Sequence, residues 1–163
     1  MIFVITGTNG PSFDRLLRAV EDVETDEPLL VQHGPSTVRP ANASCVAYLS
    51  LPETIEQIRS ARLVVTHGGV GSILVCLANG KRPIVVPRLA RHGEVADDHQ
   101  VSLGRRLERE RLVVFVEEPR DLPQALRMHD DVALNVATDG ERPLLDDLRR
   151  YLADVVSSSR RSH

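Results

Sequence analysis

The sequence predicts an α/β domain: a Rossmann-like, doubly wound, parallel six-stranded sheet in the order 3-2-1-4-5-6, forming a single unit over residues 1–157. Three observations predict it. Short, continuous apolar runs, read as strands buried on both faces, alternate with stretches whose apolar residues recur at helical spacing. Glycine-rich turns follow the first and fourth of those runs, at Gly7–Pro11 and Thr66–Ser72. With 42% hydrophobic but only 3% aromatic residues, the core has to be built from Leu, Val, Ile and Ala.

Taken in order, Ile2–Thr6 is the first strand, and Gly7-Thr8-Asn9-Gly10-Pro11 is a turn rich in residues that tolerate positive φ. Ser12 stands where it can cap the next helix, whose stripe is Phe13, Leu16, Leu17 and Val20. Leu29–Gln32 is the second strand, followed by a polar loop to about Asn42, and Cys45–Leu49 is a third. Pro52–Ala61 reads as a helix with Ile55 and Ile58 on one side. Leu63–Val65 is the fourth strand. A Thr66-His67 step, the glycines Gly68, Gly69 and Gly71, and Ser72 lead into a helix that stops near Asn79-Gly80. Pro83–Val86 is strand five. A polar loop, Leu89–Asp97, precedes a helix over about Asp98–Arg111, capped by Asp97 or Asp98. Leu112–Val116 is strand six and Pro119–Leu126 a short helix. Pro143–Ser157 closes the chain as an amphipathic helix with Leu144, Leu145, Leu148, Leu152, Val155 and Val156 on one side, and 158–163 is a frayed tail.

The totals exclude several functions. A formal net charge of -3 gives no basic field for nucleic acid, and so few aromatics supply no stacking platform for single strands. Cys45 and Cys76 sit far apart in apolar runs and read as free thiols. MIFVIT lacks the basic flank of a signal peptide, and no apolar run approaches the ~20 residues of a membrane span. The expected location is cytoplasmic.

In the predicted strand order, strands one and four are neighbours at the topological switch point, so both glycine turns line one crevice. Glycines let the main chain approach a ligand closely, and a helix start offers unpaired N–H groups and a positive dipole end. Together these make an anion site suited to nucleotide phosphates. The pattern is not that of a dinucleotide fold, because the first turn reads GTNGPS and the second strand ends in Gln32-His33 rather than an acidic residue. There is no GxxxxGK[ST] and no GxSxG, so Ser72 reads as a phosphate ligand or helix cap rather than a nucleophile. His67, at the end of a buried strand, reads as a hydrogen-bond donor to phosphate or sugar, and as the one catalytic candidate. After strand five the cluster Arg91, His92, Glu94, Asp97, Asp98, His99 and Gln100 faces the same edge, and Asp98 and Gln100 offer groups suited to sugar hydroxyls. A metal site from His92, Glu94, Asp98 and His99 is the looser reading of that cluster.

The motifs THGGVGSI, GKRPIVVPR and HGEVADDHQ, with IFVITGT…FDRLLRAV and LVQHGPS, resemble the C-terminal, donor-binding domain of family-28-type GT-B glycosyltransferases. The likeness is to the short stand-alone members, among them the catalytic subunit of a two-part eukaryotic N-acetylglucosaminyltransferase and bacterial exopolysaccharide subunits. It covers roughly Met1–Arg127. The resemblance implies a single GT-B C-terminal-type domain that takes a UDP-sugar. The glycine turn Gly68, Gly69, Val70, Gly71 and Ser72 would hold the diphosphate with backbone N–H groups, and Thr66 and His67 would belong to the same nucleotide-sugar site. Gly7, Thr8 and Asn9 would lie opposite, near sugar and acceptor. Asp98, His99 and Gln100 would face the sugar, with Arg88 assisting by charge. It further implies inversion at the anomeric carbon without a metal or other cofactor.

One position departs from the family pattern. Relatives commonly carry a glutamate for the ribose hydroxyls where this chain has Val75, so that either ribose recognition comes from elsewhere, with Glu94 the candidate, or nucleotide affinity is weaker than the family norm. The resemblance also implies half of a two-domain enzyme. The other half would be a membrane-associated, acceptor-binding subunit that presents a lipid-linked saccharide and holds this chain peripherally at the inner face of the membrane. The helix 143–157 is a candidate docking element, and the isolated chain could form homo-oligomers. Two other readings compete: a non-catalytic adaptor with a degenerate nucleotide site, suggested by Val75, and an enzyme like the sugar-nucleotide epimerases.

Overall fold

A computed structural model describes residues 1–129. The predicted helix 143–157 and tail 158–163 lie outside the described residues, as does the end of the single unit expected over 1–157. The strands are β1 (Ile2–Ile5), β2 (Leu29–Gln32), β3 (Ser44–Val46), β4 (Leu63–His67), β5 (Ile84–Val86) and β6 (Val114–Phe115). They form one sheet in the order β3-β2-β1-β4-β5-β6, with every pair parallel. The α/β, Rossmann-like, doubly wound prediction is met strand for strand.

The helices are α1 (Asp14–Glu21), α2 (Leu51–Ser60), α3 (Val70–Ala78), α4 (His99–Arg109) and α5 (Leu122–Met128). Strand alternation sorts them into two layers. Ile2, Val4, Val31, Val65 and Ile84 pack with Phe13, Leu16 and Leu17 of the α1 region and Leu122 and Leu126 of α5. On the other face, Phe3, Ile5 and Val64 meet Ile58 of α2 and Cys76 of α3. Val85 and Val113 meet Ile73 and Leu77 of α3, with Leu103 and Leu107 of α4 alongside. Cys45 and Cys76 are both free, and burial pushes the Cys76 thiol up to about 12.

One helix start differs from the sequence reading, and at a second it is Asp97 that takes up a first-turn N–H. Ser12 does not cap α1. The Phe13 N–H donates instead to Ser36 Oγ at 2.8 Å, and Asp14 accepts from Thr37 N at 2.8 Å and Val38 N at 3.1 Å. The loop after β2 is thereby pinned across the start of α1. At α4, Asp97 Oδ1 accepts from His99 N at 3.0 Å, while Asp98 turns back to accept from Ala90 N at 2.8 Å. α2, by contrast, is closed by its own residues: Ser50 and Glu53 form a reciprocal capping box, with Pro52 in the first turn.

Candidate functional site

A crevice of about 410 Å³ opens at the carboxyl ends of β1 and β4. Its walls are Gly7, Thr8 and Asn9 after β1, and His67, Gly69, Gly71, Ser72 and Val75 at β4 and α3. Ile5 and Gln32 form the floor, and Tyr48, Leu49, Leu51, Thr54 and Ile58 the far side. The two glycine turns do share one cavity, because β1 and β4 pair in register, Ile5 beside Thr66.

α3 begins at Gly69, an N-cap with no side chain, and its first intrahelical bond is Ile73 N to Gly69 O at 3.2 Å. The N–H groups of residues 70–72 therefore have no intrahelical acceptor, and Gly71 and Ser72 line the cavity. Where α2 satisfies its own N-terminus, α3 leaves its positive end open to the crevice.

His67 is clasped between the two turns. A methyl at Gly69 would stand 2.3 Å from His67 Nε2, and one at Gly7 would stand 2.9 Å from both Nε2 and Cε1. Gly7 also has φ +89°, which an L side chain rarely adopts. Both positions need glycine because the imidazole fills the space a side chain would take. Nδ1 is enclosed and lacks a hydrogen bond of good geometry. Burial, then the nearby Arg88 charge, lowers the His67 pKa from its ordinary 6.5 to about 4, against the opposing pull of the Ile5 backbone. The ring is thus neutral at pH 7, a single N–H donor rather than a cation.

That shift has a consequence for stability. The unfolded chain takes up a proton at this histidine once the pH falls below about 6.5, while the folded chain resists until about 4. The contribution is fully present above 6.5 and is lost as pH falls toward 4. We expect His67→Gln, which cannot titrate, to show a smaller loss of stability than the parent between pH 6.5 and 5. Urea denaturation at several pH values measures this, in a window above most carboxylate titrations.

Four of the expected site residues have other work. Arg88, 3% exposed, does not line the crevice. Its guanidinium donates to Thr6 O at 2.8 Å and Pro11 O at 2.7 Å, and lies 5.5 Å from the centroid of the Phe13 ring. It locks the β1 turn in place from behind the crevice, where its charge acts on His67. Glu94 is buried as well: Arg15 donates to it at 2.9 and 3.1 Å, and Leu89 N at 2.9 Å. Both carboxylate oxygens are engaged, and Glu94 does not line the crevice. Asp98 and His99 are exposed outside the cavity, and the His99 ring pairs with Asp97. Of the four residues of the looser metal reading, Glu94 turns inward while His92, Asp98 and His99 are exposed. Among the described residues no group of three or more His, Cys, Asp or Glu converges as a metal-ligand set.

Gln100 sits between these cases. It packs under the glycine turn, where a methyl on Gly68 would meet its Cβ at 2.7 Å, and its Oε1 accepts from Arg88 N at 3.0 Å. It joins the α4 start to the turn without lining the cavity. Thr66 is fully buried with its hydroxyl unpaired, and Val70 is 51% exposed; neither lines the crevice. Sequence reasoning missed the far wall, Tyr48, Leu49, Leu51, Thr54 and Ile58, and the floor residue Gln32. The one available signal was that Gln32 ends an apolar strand with a polar residue.

A doubly wound sheet with an open crevice at its switch point defines the class: an α/β domain of the kind in which ligands bind beyond the carboxyl ends of the strands. The family follows from comparison. The chain belongs to the glycosyltransferase family 28 C-terminal domain family, whose model matches residues 1–143. It is similar to the UDP-N-acetylglucosamine transferase subunit ALG13 of Yarrowia lipolytica, with 31% identity over 103 residues, covering 62% of this chain and 49% of that protein. The chain thus matches about half the length of this curated relative. Among solved structures, the glycotransferase of kitacinnamycin superposes with a TM-score of 0.61 at 18% identity, covering 95% of this chain and 40% of that one. The calicheamicin glycosyltransferase CalG4 gives 0.58 at 16%, covering 98% and 42%. SnogD of Streptomyces nogalater gives 0.54 at 20%, covering 93% and 39%. At these identities the likeness shows the fold, that of GT-B glycosyltransferase C-terminal domains.

Proposed function

We propose that this chain is the donor-binding, catalytic subunit of a bipartite inverting glycosyltransferase. It binds a UDP-sugar and, with a membrane-associated acceptor-binding partner, transfers a hexose or N-acetylhexosamine to a lipid-linked saccharide in polysaccharide synthesis. The observation that carries the reading is the uncapped start of α3, opening between two glycine turns into the crevice of a family 28 domain. The Yarrowia relative, by its name a subunit of a UDP-N-acetylglucosamine transferase, supports both the donor class and the need for a partner.

In this reading the acceptor hydroxyl attacks the anomeric carbon from the face opposite the UDP. The bond from that carbon to the β-phosphate oxygen breaks, and the electron pair leaves with UDP. The N–H groups of residues 70–72 and the α3 dipole stabilise the charge that develops on the diphosphate, a role that needs no metal. His67, neutral and held by Gly7 and Gly69, donates one hydrogen bond to phosphate or sugar. No Asp or Glu lines the crevice among the described residues, so the base that takes the acceptor proton comes from the partner. The site of action is the cytoplasmic face of a membrane, reached through that partner.

Isothermal titration of the chain with UDP tests the donor half: saturable one-to-one binding is expected, and no binding of any nucleoside diphosphate sinks the reading. Reconstitution with the partner tests the other half. Transfer that persists unchanged when His67→Ala or Ser72→Ala is introduced would instead mark the chain as a non-catalytic adaptor.

A further inference from the structure

The floor of the crevice holds a group that the fold itself does not use. Gln32 closes β2 in the middle of the sheet, paired with Ile5 on one side and Val46 on the other. Its backbone is fixed further by Thr6, whose N and Oγ1 both donate to Gln32 O at 3.1 Å. The side chain is 4% exposed, it lines the crevice, and its enclosed Oε1 has no partner. An amide oxygen buried without a hydrogen bond is a net cost to folding, and such groups are few in native structures. A leucine would fill the same place without that cost.

What surrounds it indicates the ligand. Tyr48, Leu49, Leu51, Ile58 and Val75 make an apolar slot around the amide. Val75 adds to that slot instead of supplying a carboxylate. A flat ring fits such walls, and a primary amide sets a donor and an acceptor side by side. The pyrimidine imide edge, an N–H beside a carbonyl, is its complement. β2 lies two strand spacings from β4, about 10 Å, comparable to the reach from the phosphate of a nucleotide to the edge of its base.

We infer that Gln32 is the base-reading residue of the donor site: its side-chain amide hydrogen-bonds the pyrimidine edge of the nucleoside diphosphate while the start of α3 holds the phosphates. This rests on the donor reading above and extends it to a residue outside the glycine turns.

The test is calorimetric titration of the parent chain and Gln32→Leu with UDP, 2′-deoxy-UDP and inorganic pyrophosphate, with thermal melts of the unliganded proteins. Gln32→Leu is expected to weaken UDP about tenfold, to leave pyrophosphate within about twofold, and to raise the unliganded Tm by on the order of 3 °C. Gln32→Met, which keeps the length and loses the amide, is expected to do the same. Affinity lost together with a Tm lowered by several degrees in both variants would make Gln32 structural and overturn the inference. So would unchanged UDP binding, or UDP and pyrophosphate weakened in parallel. A UDP to deoxy-UDP preference preserved in Gln32→Leu supports base reading; its collapse would assign the amide to the ribose and overturn it. If the parent chain binds UDP and the variants bind it equally well, only this inference fails. If the parent binds none of the three probes, the donor reading fails with it.

Discussion

Gly69→Ala is expected to weaken UDP binding by on the order of 100-fold. The added carbon would stand 2.3 Å from His67 Nε2 and 3.0 Å from two ring carbons. At φ −73° the backbone of residue 69 itself accepts alanine, so the cost is steric and not torsional. The imidazole cannot retreat toward β1, because Gly7 closes that side. It must swing into the crevice, where the ligand belongs, or push the start of α3 away from it. This separates the effect from general destabilisation. In His67→Ala/Gly69→Ala the clash is gone, so the double variant should recover most of the thermal stability that Gly69→Ala loses. A double-mutant cycle on Tm and on UDP affinity measures the coupling. Strictly additive losses would show that the two residues do not confine one another.

Arg88→Met is expected to cost about 3 kcal/mol of stability, a fall in Tm of roughly 10 °C, because it removes charge-assisted bonds to two main-chain carbonyls and leaves them short of donors. Those carbonyls belong to Thr6 and Pro11, on either side of the Gly7–Gly10 turn. UDP affinity should fall as well, through a loosened turn rather than through lost charge. Arg88→Lys distinguishes the two. It keeps a positive charge, but its ammonium cannot reproduce the guanidinium fork that reaches both carbonyls while lying by the Phe13 ring. If Lys restored affinity, the direct-charge role would be reinstated. Differential scanning calorimetry and UDP titration of the two variants decide it.

The parts of the site that were legible in the sequence are those made by the main chain. Gly7, Gly69 and Gly71 are recognisable because a turn between strand and helix that must pass close to a ligand excludes side chains. His67 is recognisable by its place at the end of an apolar run. The parts that were not legible depend on side chains reaching across the fold. Glu94 looked available for a ribose because it stands among polar residues in the chain; it is engaged by Arg15, 79 residues away. Arg88 follows a strand as a ligand residue would, but Phe13 and the β1 turn close over it. The slot at Tyr48, Leu49 and Leu51 has no polar signature and was invisible for that reason.

The sequence by itself determined the layered fold and the strand order, since the period of its apolar residues and the placement of its glycines depend only on neighbours along the chain. It also determined where the crevice opens, because a doubly wound sheet has a single switch point between β1 and β4. Only the tertiary structure decided which polar groups face that opening. A charge buried in a sheet protein must find its partner wherever the packing brings one, so Arg88 and Glu94 were drawn inward. Gln32 was left without a partner and turned toward the crevice.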